Sequence, residues 1–256
     1  MNTAGMTARL AALGRAEATL LWRNRSAAFT ALCMPLFMVW ALRPAIAHMH
    51  LGKVGMTASA VSITGGIGIT LVFVVYSGLV PAYVTRREEL VLKRLRTGEP
   101  TDLEILAGTA LPAVTVALAQ CVVMIAAGSA LLHVPAPRRP ELFLLGLVLG
   151  IPLMVALAAA SSALARTTEV AQLTAMPLSF ISLFGSGLFT PLEVLPHTLA
   201  DVCRLLPLTP VVDLVRTGWL GGADAARVVR DLVTAFAWTG LAVFAVRRWF
   251  RWEPRR

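Results

Sequence analysis

"TASAVSITGGIGITLVFVVYSGLVPAYVTRREELVLKRLRTGEPTDLE", residues 57–104, sets sequence suited to two different solvents side by side. Residues 57–84 carry no charged side chain. As a helix they would run about 42 Å at 1.5 Å per residue, more than the ~30 Å hydrocarbon core of a bilayer. Residues 86–104 then hold five basic and five acidic side chains. A lipid-facing segment cannot carry charge at that density, so this part lies in water at the end of a crossing. A new apolar run opens at Leu103, and the chain turns back into the membrane.

The same alternation extends outward in both directions. The 256 residues are 57% hydrophobic and 14% charged, whereas a soluble domain carries roughly 25% charged residues and needs them to cover itself. The chain therefore reads as an all-α polytopic membrane protein. Six spans are expected, at residues 27–42, 57–84, 103–132, 142–165, 170–190 and 232–246. The sixth is the shortest. It reaches both interfaces only if Arg247 and Arg248 snorkel and Trp249, Phe250 and Trp252 sit at headgroup level. Together, residues 27–256 form one transmembrane domain.

Basic residues orient it. Both termini are rich in Arg, so both belong on the cytoplasmic side, and that requires an even number of spans. With six spans and both ends inside, 15 of the 23 Lys and Arg lie in the cytoplasm and eight outside. The same bias explains the net charge of +9 without invoking nucleic acid. Residues 1–26 place Met6, Leu10, Leu13, Leu20 and Leu21 on one side of a helical wheel, with Arg15 and Arg23 off it. This is the pattern of an interfacial cytoplasmic helix, although Glu17 falls within its apolar arc and a frayed tail is the alternative. Between spans five and six, residues 191–231 are too apolar for a solvated loop, yet prolines at 191, 196, 207 and 210 divide them into pieces too short to cross. Short re-entrant helices at the outer leaflet fit, provided that protein covers their free backbone groups.

Several function classes are disfavoured by what the sequence lacks. It has no H-E-x-x-H, no G-x-S-x-G and no Cys/His metal spacing, so no catalytic centre or metal site is expected. Its four histidines read as solvated or interfacial. Its one Gly-Lys pair, Gly52 and Lys53, is followed by Val and does not form a P-loop. All fourteen acids fall at span ends or in loops, which argues against an ion-coupled carrier, although backbone carbonyls could still coordinate an ion; an ion-coupled carrier or channel of similar topology is the alternative reading. Gln120, Ser161, Ser162 and Gln172 are the notable polar residues within spans; they line a substrate path or hydrogen-bond neighbouring helices. If the protein is a pump, another polypeptide hydrolyses ATP and some cytoplasmic surface receives the stroke. Residues 86–96 suit that role. Read as one helix, they place Val91, Leu92 and Leu95 on one side, with Glu88 among them. Arg86, Arg87, Glu89, Lys93, Arg94 and Arg96 cover the rest. A short helix of this kind, with a small apolar patch, suits a partner's groove.

These residues also carry a resemblance. "RREELVLKRLRTGEPTDLEILAG" resembles the cytoplasmic loop of the ABC type 2 transporter permeases, the drug-exporter-like branch, whose pattern is roughly E-R-E-x-G-T-L-K-R-L-R-x-T-P. Glu88 and the run Leu92, Lys93, Arg94, Leu95 and Arg96 match directly. Arg86 stands at the first Glu, Leu90 and Val91 replace Gly-Thr, and Pro100 comes one residue late. "GSGLFTPLEVLPHTLADVCRLLPLTPVVDLVRTGWLGG" is similar to the family's outer segment through Pro191, Pro196, the run Leu206, Pro207, Leu208, and Arg216. Glu193 and Asp213 lie within the same stretch. The resemblance implies an interfacial N-terminal helix, six spans, a coupling helix between spans two and three, and a re-entrant outer segment. It also implies dimerisation with a second permease protomer, which the sequence leaves open as homodimer or heterodimer. Two soluble ATP-binding subunits would hold the ATP and Mg that this chain does not bind. Export from the cell membrane follows as an expectation, with a hydrophobic drug, a lipid or a lipid-linked compound as cargo.

Overall fold

The computed structural model describes residue 37 and residues 56–98, 101–132, 135–222 and 224–253. The expected interfacial helix at 1–26, the first span at 27–42 (apart from Phe37), His48, His50, His133, Glu99 and Pro100 lie outside the described residues. The described residues form helices α1 (Ala58–Glu88), α2 (Val91–Arg96), α3 (Asp102–Leu132) and α4 (Pro140–Ser162). They continue with α5 (Thr168–Gly185), α6 (His197–Arg204), α7 (Thr209–Leu220) and α8 (Ala225–Trp249). A single 3-10 turn, Leu192–Val194, precedes α6, and no strand occurs among the described residues.

Local chemistry sets the helix ends. Thr57 caps α1 by accepting from the amide of Ala60, and Thr167 caps α5 by accepting from Val170. Thr101 and Glu104 form a reciprocal capping box on α3: the Thr101 amide donates to Glu104 Oε2 at 2.7 Å and the Glu104 amide to Thr101 Oγ1 at 3.4 Å. Pro140 opens α4 at a position where no intrahelical amide is lost. Inside the apolar helices, the hydroxyls of Ser62, Thr64 and Thr109 donate back to carbonyls four residues earlier, so these three polar groups are satisfied within their own helices.

Helices α1, α3, α4 and α8 are each long and apolar enough to cross a membrane. Helix α5 has 18 residues, about 27 Å at 1.5 Å per residue, and falls just short of that group. The protein is a multi-pass membrane protein. Burial separates its helices into a centre and a rim: the most apolar window is 78% buried in α1 and 50% in α4, against 28% in α3 and 17% in α8. Short α7 packs into the centre against α4, α1 and α8, with nearly every residue from Thr209 to Trp219 buried.

Glycine permits that approach. A Cβ at Gly218 would lie 2.4 Å from the Phe143 backbone nitrogen, and one at Gly150 would lie 2.6 Å from Val211. Without a hydrophobic effect between helices in lipid, close backbone contact of this kind supplies the dispersion attraction that holds them.

Three expectations about boundaries are corrected. The last helix is 25 residues long, not fifteen, because Arg227, Arg230 and Asp231 are helical rather than part of the outer loop. Asp224 caps it, accepting from Ala226 at 3.2 Å. The fifth helix stops at Gly185, not 190, where Ser186 and then Gly187 at φ +72° turn the chain. Residues 86–96 are not one helix. Helix α1 runs through to Glu88, and Leu90 at φ +60° breaks the path before α2 begins. Leu90 stands at the position where the resembling pattern has Gly, the residue that adopts a left-handed φ without steric cost.

Candidate coupling surface and outer ion-pair cluster

The break at Leu90 divides the expected coupling residues between two elements. Arg86, Arg87 and Glu88 belong to the end of α1, while Val91, Leu92, Lys93, Arg94, Leu95 and Arg96 form α2. Glu88, Glu89, Lys93, Arg94 and Arg96 are exposed. Leu92 is completely buried, and Val91 and Leu95 are half-buried. The apolar side of α2 therefore packs into the protein itself, which corrects the expectation that it is held out for a partner. The outward face is charged. Arg94 has no acidic partner among the described residues, whereas Lys93 pairs with Glu253 at 2.9 Å and Arg96 with Asp102 at 3.0 Å.

Arg87 is the residue that charge counting misplaces. It is 1% exposed. Its Nη1 donates to the Ser162 carbonyl at 3.2 Å and its Nη2 to the Ala165 carbonyl. The Ser162 carbonyl ends α4, where helix acceptors run out of intrahelical donors and the helix dipole favours a cation, and the Ala165 carbonyl lies in the turn just beyond it. Beside it, the Thr85 and Thr168 hydroxyls are 3.0 Å apart, and Thr168 donates to Glu88 Oε2 at 2.7 Å. The end of α1, from which α2 hangs, is thus fastened to the α4–α5 turn by four hydrogen bonds.

The four candidate path residues are not brought together. Gln120 is buried on α3. Ser161 lies 3.0 Å from the Tyr76 hydroxyl, and Ser162 donates back to Ala159. These two serines make the inter-helix and intra-helix bonds of the simpler reading. Gln172 is exposed on the rim face of α5. A further hydroxyl pair, Ser77 with Ser179 at 2.7 Å, joins α1 to α5 and had no signal in the sequence.

The segment between α5 and α8 closes around charge. Pro191 starts the 3-10 turn, Pro196 precedes α6, and Pro207 sits in the turn before α7, so each proline marks an element boundary. Asp213 and Arg216, both 2% exposed, sit on α7. They do not pair, although their spacing of three suggests it. Asp213 is instead bridged by Arg227 of α8 at 3.2 Å, and the same guanidinium holds Glu193 at 2.6 Å. Arg216 donates through Nη2 to the Gly187 carbonyl, and its Nε and Nη1 have no hydrogen-bond partner among the described residues. Burial pushes the Asp213 carboxyl above its ordinary range, with Arg227 and Arg216 pulling the other way. At Glu193 burial also pushes upward, but backbone and Arg227 hydrogen bonds outweigh it and hold the carboxyl below its usual range. No local pattern links Arg227 to Glu193, 34 positions away.

The described residues thus combine several membrane-length helices, a charged hairpin between α1 and α3, and a buried short-helix segment. The ABC-2 type transporter family matches residues 8–220, and the chain belongs to that family. It is the permease component of an ABC transporter, a membrane subunit that does not itself perform the catalysis, and membership implies association with an ATP-binding subunit. No curated protein matches the chain.

Proposed function

We propose that this permease is the membrane half of an ATP-driven exporter, carrying a hydrophobic drug, a lipid or a lipid-linked compound out of the cell. It lies in the plasma membrane with both termini cytoplasmic. A second permease protomer completes the path, and surrounding lipid covers the apolar rim. ATP and Mg are held by the partner subunit, and this chain binds neither. The short helix α2 receives the stroke.

The observation that carries this reading is the pairing of an exposed cationic face on α2 with the Arg87 fastening behind it. A force on Arg94 would pass through the end of α1 to the α4–α5 turn, because Arg87, Thr85 and Glu88 bond across that junction. A topology signal alone would need positive charge but no such fastening. The outer segment supports the reading from the other end: α7 is too short to cross, about 18 Å, and its backbone is covered by α4 and α1.

The test uses Glu88→Ala and Arg94→Glu in the full-length protein. Both side chains are exposed, so membrane abundance should stay near that of the parent. The co-purified ATP-binding subunit, or export, should fall about tenfold or more, as for loss of a charged contact at a desolvated interface. Parental ATPase binding and export in both variants would reduce α2 to a topology signal.

A further inference from the structure

The C-terminal residues 250–253 fold back onto α2. After Phe250 the chain leaves the α8 helix in an extended conformation. Phe250 sets its ring edge-on to Tyr83 of α1 at 6.3 Å and to Trp252 at 5.0 Å. The Arg96 guanidinium lies 4.9 Å over the Trp252 ring, and Lys93 meets Glu253 at 2.9 Å. Trp249, by contrast, is 59% exposed. Of the three aromatics expected at the membrane interface, only Trp249 keeps an outward position; the other two are half-buried against the junction of α1 and α2.

We propose that the surface offered to the ATP-binding subunit is composite, made of α2 and residues 250–253 together, with Trp252 and Glu253 as positioning residues for Arg96 and Lys93. The proposal rests on the coupling role of α2 given above. A helix of six residues has little stability of its own. It enters through a left-handed Leu90, and on its inner side Leu92 is its only fully buried residue. The tail supplies the second wall. It also shares in selecting the charge on display: Glu253 of the tail neutralises Lys93 and Asp102 of α3 neutralises Arg96, leaving Arg94 without an acidic partner among the described residues. The matching surface is an acidic side chain for Arg94 beside an apolar or aromatic contact for the half-buried Trp252.

The test uses the full-length permease together with its ATP-binding subunit. Lys93→Cys with Glu253→Cys should be joined within one chain by a flexible bis-maleimide spanning about 10 Å, because the contact is between the ends of two long side chains and a direct disulfide would need Cα atoms within about 7 Å, and each single variant should not. Trp252→Ala should lower the co-purified ATPase about two- to fivefold, the range expected for one exposed cation–π contact. Glu253→Lys should lower it similarly, and Lys93→Glu in the same chain should restore it, which a merely structural tail would not require. Arg94→Glu separates the two levels of the argument. If it abolishes ATPase binding while the tail variants bind like the parent, the composite surface is refuted and α2 alone couples. If it too binds like the parent, the coupling role of α2 fails and the composite surface with it. Absence of that 93–253 cross-link, with both cysteines shown to react with a monofunctional maleimide, would also overturn the proposal.

Discussion

Replacing Arg87 by leucine probes a residue that looks, in the sequence, like any other arginine of a cytoplasmic loop. The substitution keeps an apolar side chain of moderate size in the site but removes donors to the Ser162 and Ala165 carbonyls. The Ser162 carbonyl still accepts from the Ala165 amide at 3.3 Å, so the heavier loss falls on Ala165. A hydrogen bond from a charged donor contributes roughly 1.5–3 kcal/mol net, and a buried acceptor left unmatched costs about 1–3 kcal/mol. Allowing for relaxation, Arg87→Leu should cost about 2–4 kcal/mol. For a chain of this size that corresponds to a fall of about 5–15 °C in the unfolding midpoint. Arg94→Leu, on an exposed position, should cost less than about 1 kcal/mol. Arg87→Lys should fall between them, since an ammonium cannot fork to two carbonyls as a guanidinium does. The assay is loss of the monodisperse size-exclusion peak in detergent after heating, for parent and variants in parallel. If Arg87→Leu survives heating as well as Arg94→Leu does, Arg87 does not fasten α1 to the α4–α5 turn, and the path of force drawn through it is wrong.

Two further substitutions test other junctions. Arg227→Ala would leave Asp213 buried without its ion pair and should destabilise by about 3 kcal/mol; adding Asp213→Asn should recover much of that, and a double variant no better than the single would contradict the pairing. Leu90→Gly should be neutral to stabilising by up to about 1 kcal/mol in the same heating assay, because relief of a left-handed φ offsets the extra freedom of glycine in the unfolded chain; a clear loss of stability would show that the Leu90 side chain contributes more than its backbone strain costs.

The sequence alone determined the class, the apolar runs at residues 57–84, 103–132 and 142–165 that the membrane-length helices overlap, and the family, and the reason is physical. Partition between water and hydrocarbon depends on the apolar length of a local run, which is read directly from composition along the chain. The prolines at 191, 196 and 207 were equally legible, since each limits its own backbone. What only the tertiary structure decided was which polar side chains turn inward. Arg86 and Arg87 are neighbours of identical chemistry, yet only Arg87 is buried. The π-helical turns at Leu71–Ser77 rotate every later face of α1 away from a regular helical wheel, so the wheel cannot identify the inward arginine. Asp213 has Arg216 three residues away, yet it pairs with Arg227 on another helix. The last helix begins at Ala225, where Asp224 caps it and Arg227 reaches Glu193 and Asp213 on other elements, whereas an isolated hydropathy count places Arg227, Arg230 and Asp231 in a loop. Ion pairs and hydrogen bonds are short-ranged contacts between distant parts of the chain, and only the packing of α1, α4, α7 and α8 determines which of them form.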